Sequence, residues 1–156
     1  MAAVGGDDLL PRIDELMAAG ESMSHFDTGA PLGDFRDRLV SANAYLGSEG
    51  IVEALTDGAR IVITGRVADA SLTVGPARYE FRSGGEGTPV LAAATVAGHL
   101  IECGAQATGG MYSGWKLGHP LADVGYPIAE IGEDGSVVIT KPEGSAGRVT
   151  PATVAE

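Results

Sequence analysis

Residues 60–69 read Arg60-Ile61-Val62-Ile63-Thr64-Gly65-Arg66-Val67-Ala68-Asp69, and this stretch decides the fold. Its run of β-branched residues is continuous rather than alternating. Such a run is typical of a strand that is apolar on both faces and central in a parallel sheet covered by helices. The strand ends at Gly65, and a helical pattern starts near Ala68. We therefore predict a β-turn-α unit, the basic unit of an α/β sheet.

The sequence on either side predicts further helices and strands. Asp7 and Asp8 form an acidic cap before an amphipathic helix that begins at Leu9. An Ala-rich helix is expected over 89–105, where small side chains allow close packing against a neighbour. The other expected elements are a strand over 39–45, a helix over 48–55 capped by Ser48, a loop over 82–88, a hairpin of strands 127–131 and 137–141, and a final helix capped by Thr150.

These elements predict an α/β fold in one domain over residues 1–156. The expected architecture is a partly parallel sheet with flanking helices and a C-terminal β-hairpin. Both ends of the sequence look cut. The chain opens just before a helix with no preceding strand, and it closes just after a helix begins. We therefore expect an incomplete domain from a larger protein.

Composition excludes several classes of protein. Ten basic and 21 acidic side chains among 156 residues give a net charge of −11, which disfavours nonspecific binding to nucleic acid or to an anionic membrane. The single cysteine, Cys103, excludes an intrachain disulfide and fits a reducing compartment. The N-terminus lacks the pattern of a signal peptide, and the longest apolar stretch, 90–101, is too short and too polar to span a bilayer. We expect a cytoplasmic protein.

The turn after the predicted strand is the first candidate site, because ligands bind at the carboxyl ends of strands in open α/β sheets. Gly65 permits a sharp turn, and the backbone N–H groups that follow it could bind an anion. Arg66 could add a bidentate contact to phosphate or carboxylate, and Asp69 could act as a base. The alternative is a structural ion pair between Arg66 and Asp69, with Asp69 capping the helix.

A second candidate lies on the Ala-rich helix, where His99, Glu102 and Cys103 are three and four positions apart and share one face. Such a face could hold a metal or a His–Glu acid–base pair. The alternative is a buried histidine beside an inert cysteine. A zinc site would need a second ligand cluster, and since the sequence offers no clear one, we expect no metal.

Two further positions could contribute to ligand binding. Asn43, near Tyr45 at the end of a predicted strand, could face the same crevice as Arg66, or it could bond loop backbone. Thr108 and Gly109 could form an anion-binding nest with Gly110, although a helix C-terminal stop is the alternative.

Six motifs occur in a fixed order along the chain: Leu39–Gly47, Ile51–Leu55, Ile61–Asp69, Ala97–Gly110, Gly125–Glu130 and Val138–Pro142. In order and spacing they resemble the acyclic terpene utilisation protein A (AtuA) family. The resemblance covers nearly the whole chain. It implies a link to the catabolism of acyclic monoterpenes such as citronellol and geraniol, near acyl-CoA carboxylases. It implies no defined reaction, catalytic residue or cofactor.

The resemblance also has two departures. Family members are usually several times longer, which agrees with the cut ends. Residues 82–87 replace an aromatic-rich stretch that the family pattern has after Phe81.

Three hypotheses of function follow. The first is an enzyme that acts on a branched acyl-CoA or a related isoprenoid acid, in which Arg66 holds an anionic group and Asp69 or the His99–Glu102 pair moves a proton. The second is a non-catalytic partner or scaffold subunit in an acyl-CoA carboxylase pathway. The third is a truncated, non-functional fragment. The sequence leaves the cofactor undetermined, and a homo-oligomer or the remaining segments of a longer chain are candidate partners.

Overall fold

The computed structural model of the protein describes residues 1–81, 88–114 and 120–156. Its helices are α1 (Ile13–Ala18), α2 (Glu49–Thr56), α3 (Ser71–Glu80), α4 (Thr88–Glu102) and α5 (Pro151–Ala155), and its strands are β1 (Ala2–Val4), β2 (Val62–Thr64), β3 (Ile128–Ile131) and β4 (Val137–Thr140). This mixed α/β architecture confirms the predicted fold class. The predicted loop over 82–88 lies outside the described residues except for Thr88, at which α4 begins.

β1 and β2 form a two-stranded parallel sheet of their own, separate from the hairpin, in the register Ala2 with Val62, Ala3 with Ile63 and Val4 with Thr64. β1 precedes α1, so the expectation that no strand comes before the first helix is wrong. Its three residues are small and too few to show a periodic pattern.

The two faces of this sheet differ. Helix α2 covers one face, where the side chain of Val4 lies against Gly50. On the other face, Ile61 and Ile63 are 61% and 59% exposed. The continuous apolar run therefore gives a strand with one packed face, where we predicted cover on both.

Helices α2, α3 and α4 pack through small residues. A Cβ added at Gly75 of α3 would lie 2.6 Å from Cγ2 of Ile51 on α2, and one at Gly98 of α4 would lie 3.0 Å from the backbone of Ala70. Ala94 and Ala97 of α4 are completely buried. The Ala-rich sequence thus allows the close approach that was predicted, because these positions carry little or no side chain.

The C-terminal hairpin is confirmed. β3 and β4 are antiparallel, with Ile128 opposite Thr140 and Ile131 opposite Val137. Ile131 packs against the buried cluster of Val74, Ala77 and Ala94, which fixes the hairpin to α3 and α4.

Helix boundaries agree with the sequence patterns in part. A capping box at Thr150 begins α5 as predicted. Ser48 precedes α2, but its side chain makes no capping bond, and its Oγ instead accepts a hydrogen bond from Arg78. α3 begins at Ser71, three residues later than the Ala68 expected.

The predicted strand over 39–45 is wrong. Asn43 and Leu46 make isolated bridges to Asp8 and Val67 instead of a continuous ladder.

Candidate functional site

Three segments of the chain meet at the carboxyl ends of β1 and β2. The N–H of Ala44 donates to Asp7 O at 2.8 Å, so residues 42–46 lie beside the segment that follows β1. The N–H of Leu46 donates to Arg66 O at 3.1 Å, and the N–H of Ala68 donates to Leu46 O at 2.8 Å. These bonds hold the turn after β2 against the Asn43–Leu46 segment. The predicted proximity of Asn43 and Arg66 is therefore present in the structure.

Asp7 lies at the centre of this junction. Its Oδ2 accepts from the backbone N–H of Arg66 at 2.8 Å and from Nδ2 of Asn43 at 3.0 Å. The Arg66 N–H is the main cause of a lowered Asp7 pKa, and the Asn43 amide lowers it further, so the carboxylate stays ionised at neutral pH. The turn predicted to bind an anion thus holds one that the protein itself supplies.

Gly65 is required by this close approach. A Cβ at this position would overlap the carboxylate of Asp7. The absent side chain therefore leaves the space in which the carboxylate lies.

The guanidinium of Arg66 lies between an aromatic ring and a carboxylate. Its Nη2 is 2.6 Å from Oδ1 of Asp69, and its Cζ lies 4.2 Å from the centre of the Tyr45 ring. The side chains of Arg66 and Asp69 are 41% and 46% exposed, so solvent reaches the pair. Asp69 makes no cap for α3, since no side chain caps that helix. The ion pair foreseen as the alternative reading is therefore present, while the cap is absent.

His99, Glu102 and Cys103 are exposed at the end of α4. The thiol of Cys103 donates to Oε2 of Glu102 at 2.8 Å. This bond raises the pKa of Cys103, and the charge of Asp69 adds to the rise. The turn after β2 is therefore within electrostatic range of the end of α4. Within the described ranges no hydrogen bond joins His99 to Glu102, so the structure does not assemble the predicted pair.

His99 and Cys103 line a cleft of about 200 Å³ together with residues 153–156 of the C-terminal segment. This volume is below the roughly 300–1,000 Å³ of usual small-molecule sites. A second cleft, of about 390 Å³, lies between β1 and α2 and is lined by the carboxylates Glu53 and Asp57 without a basic side chain. The first cleft is small, and the second repels anions, so neither matches a large anionic ligand.

Thr108 and Gly109 lie in the turns that follow α4. Thr108 is completely buried, and its hydroxyl lies 2.6 Å from Gly125 O, to which it donates. The carbonyl of Thr108 accepts from the N–H of Arg148 at 2.9 Å. Gly109 has φ of 94° and donates to Gln106 O in a turn that lies beyond the end of α4 at Glu102, so it does not stop that helix. Thr108 therefore joins the turns after α4 to Gly125 and to Arg148 through internal hydrogen bonds.

Asp7 is the member of this junction that the sequence pattern does not single out as a site residue. The pattern predicts Asp7 and Asp8 as the cap of a helix that begins at Leu9, and this is wrong, because α1 begins at Ile13 and no side chain caps it. The Oδ1 of Asp8 instead accepts from the N–H of Leu10 in the turn that precedes α1. The Gly5-Gly6 pair between β1 and Asp7 is the sequence feature that could have indicated the position of Asp7, because a glycine pair after a strand allows the chain to turn back across the end of that strand. Gly6 has φ of 104°.

No helix in ranges 1–81, 88–114 and 120–156 is long and apolar enough to cross a membrane. In the same ranges no three His, Cys, Asp or Glu side chains are placed to hold a metal ion. His119 lies outside them.

Comparison with known proteins identifies the family. Neither a curated protein nor a solved structure matches the chain. The family model described as acyclic terpene utilisation family protein AtuA matches residues 1–156, the whole chain. This match extends over the junction of Asp7, Asn43 and Arg66 as well as the hairpin and α5. The chain therefore belongs to the AtuA family, a family tied to acyclic terpene utilisation.

Proposed function

We propose that this protein binds the anionic end of an isoprenoid acid, or of its acyl-CoA, in the crevice of Asn43, Tyr45, Gly65, Arg66 and Asp69. The observation that carries the proposal is the position of the Arg66 guanidinium. It is partly exposed at the carboxyl end of a parallel strand pair, beside an exposed tyrosine ring. Ligands of open α/β sheets bind at this end, and guanidinium groups suit carboxylates and phosphates.

The surface next to the crevice supports an amphipathic ligand. Alternate residues of a strand face the same side, so Ile61, Ile63 and Gly65 lie in one row. The two isoleucines are more than half exposed, and Asp7 occupies the space at Gly65. An apolar strip therefore leads into a polar cluster, which matches a branched hydrocarbon that ends in a carboxyl group.

Proton transfer by Asp69 would extend this binding role to catalysis. A ligand anion that takes the Arg66 guanidinium would release the Asp69 carboxylate, which could then accept a proton. His99 and Glu102 are further candidates, because Asp69 acts electrostatically on Cys103 beside them. Thr108 and Gly109 have a structural role in this proposal, because the buried Thr108 joins the turns after α4 to Gly125 and Arg148.

A non-catalytic role as a partner in an acyl-CoA carboxylase pathway is the second candidate. The exposed face of Ile61 and Ile63 favours it, because parallel sheets are normally covered on both faces. Such a role predicts that the face binds another protein and that the crevice binds no small ligand.

A titration tests the first proposal. Geranate and citronellate, the acids that correspond to geraniol and citronellol, are titrated calorimetrically into the wild type and into Arg66→Ala. Arg12→Ala is a matched control, because Arg12 also forms an exposed ion pair three residues apart, with Glu15 at 2.8 Å. Binding that Arg66→Ala abolishes and Arg12→Ala preserves would support the proposal. Equal binding by the wild type and Arg66→Ala, or no binding by the wild type, would overturn it.

A further inference from the structure

We infer that the Asp7 side chain occupies a carboxylate subsite, and that a ligand enters as a free carboxylate by displacing it. This inference rests on the proposed function and narrows the ligand from an isoprenoid acid or its acyl-CoA to the free carboxylic acid.

The first support is the pair of donors. The Arg66 N–H and the Asn43 Nδ2 both reach one oxygen of Asp7, at 2.8 Å and 3.0 Å. A ligand carboxylate has the same oxygen atoms and the same planar shape, so it can use both donors without a change in the backbone. Hydrogen bonds to an ionised acceptor are the stronger kind, which makes this position selective for an anion.

The second support is local charge. Phosphate sites usually offer several backbone N–H groups and an excess of positive charge. Here one backbone N–H and one amide face the oxygen, and the Asp69 carboxylate offsets the positive charge of the nearby Arg66 guanidinium. Asp8 adds another negative charge next to Asp7. A singly charged carboxylate therefore fits better than a phosphate dianion.

The third support is that the side chain of Asp7 can leave while its backbone stays. The carbonyl of Asp7 accepts from the N–H of Ala44, and Asp8 pairs with Asn43, so the backbone is held independently of the carboxylate. A rotation of the side chain alone would clear the space at Gly65. The subsite then opens without unfolding of the segment that frames it.

If the ligand displaces the Asp7 side chain, variants of Asp7 should be less stable than the wild type but should bind carboxylates more tightly. Asp7→Ala loses two hydrogen bonds and has a lower Tm than the wild type. It nevertheless binds acetate and 3-methylbutanoate more tightly, by about tenfold, because no internal carboxylate competes for the Arg66 N–H. A purely structural Asp7 predicts the reverse, since a disordered junction would bind less.

The experiment measures Kd for the two carboxylates and the rise in Tm that each produces. It uses the wild type, Asp7→Ala and Asp7→Asn, with sodium chloride and inorganic phosphate at matched ionic strength. Asp7→Asn has nearly the shape of the native side chain and decides the question if Asp7→Ala does not fold. Tighter carboxylate binding by a folded Asp7 variant, lost in the double variant with Asn43→Ala, supports displacement.

Unchanged or weaker binding by the folded Asp7 variant overturns the inference, as does an equal response to phosphate. The outcome is separable from that of the geranate titration. If an Asp7 variant binds acetate more tightly but the wild type does not bind geranate, the carboxylate subsite is supported and the isoprenoid function is contradicted. If geranate binding depends on Arg66 but no Asp7 variant binds acetate more tightly, only the carboxylate subsite is contradicted.

Discussion

The backbone N–H of Arg66 donates to the Oδ2 atom of Asp7 at 2.8 Å, and 59 positions of sequence separate the two residues. Because β1 and β2 are parallel and paired, their carboxyl ends lie side by side. The segment after β1 therefore reaches the turn after β2 without a long excursion. This one bond joins the beginning of the chain to the turn that carries Arg66 and Asp69, and several measurable properties depend on it.

Substitution of Gly65 by alanine tests the packing of that junction. The added Cβ would overlap the Asp7 carboxylate, which must move and lose its two hydrogen bonds. We expect Gly65→Ala to lower Tm by about 2–4 °C, a usual response to a modest loss of stability in a domain of this size. The loss should nearly vanish in an Asp7→Ala background, because the overlapping group is then gone.

Gly5→Ala is the control for this substitution, since a Cβ at Gly5 meets nothing within 4 Å. It should leave the Tm close to that of the wild type. Thermal unfolding is measured for the wild type, Gly65→Ala, Asp7→Ala, the double variant and Gly5→Ala. It would contradict the packing argument if Gly65→Ala were as harmless as Gly5→Ala.

The Asp7 carboxylate also predicts an acid dependence of stability. Its pKa in the folded protein is lowered, first by the N–H of Arg66, from an ordinary value of 3.8. A group with a lowered folded pKa stabilises the fold above its unfolded pKa and ceases to do so as pH falls through the folded pKa. The stability difference between the wild type and Asp7→Asn should therefore be constant from about pH 7 to pH 5 and shrink below about pH 4.

Urea denaturation at several pH values measures this difference directly. Asp134→Asn provides a comparison, because hydrogen bonds from Ser136 lower the Asp134 pKa within the distant hairpin turn. A gap for Asp7→Asn that widened toward low pH would have the wrong sign and would refute the assignment of Asp7 as an ionised acceptor.

Local pattern was enough to predict the elements whose contacts are near in sequence. The hairpin of β3 and β4 and the capping box at Thr150 depend on residues a few positions apart, and both were predicted close to their observed bounds. The Ala-rich pattern predicted the close packing of α4 because small side chains determine how near two helices can approach.

Contacts between distant parts of the sequence explain what pattern could not predict. β1 has three residues, two of them alanine, and it forms a strand because β2 lies beside it. Arg78 engages Ser48 from 30 positions away, which removes the side chain expected to cap α2. The sequence around Asp7 predicts a helix cap, whereas in the fold Asp7 contacts the turn that carries Arg66. Sequence pattern could not predict this contact, because it contains no information on which strand ends lie side by side.

Thr108 was predicted to bind a ligand, but in the fold it is buried and has a structural role, which a substitution can test. Its buried hydroxyl donates to Gly125 O, and Thr108→Val keeps the shape while removing the donor. We expect a loss of about 1–2 kcal/mol in the free energy of unfolding, since the partly buried Gly125 carbonyl loses this hydrogen bond. Thr95→Val is the control, because Thr95 is exposed and its hydroxyl donates to Leu91 O within its own helix. Urea denaturation that showed equal effects of the two substitutions would contradict this role.

Cys103 reports the electrostatic link between the end of α4 and the Arg66 turn. Glu102 and, more weakly, Asp69 raise the pKa of its thiol above the ordinary 9.0, so little reactive thiolate forms near neutral pH. We expect Glu102→Gln to speed alkylation by iodoacetamide at pH 8 by several-fold, and Asp69→Asn to speed it less. Since the chain has one cysteine, the total rate measures this site alone. Glu53→Gln, on α2, should leave the rate unchanged. If Asp69→Asn also left it unchanged, the turn and the end of α4 would not share one electrostatic environment, and Asp69 would lose its connection to His99 and Glu102 in the proposed chemistry.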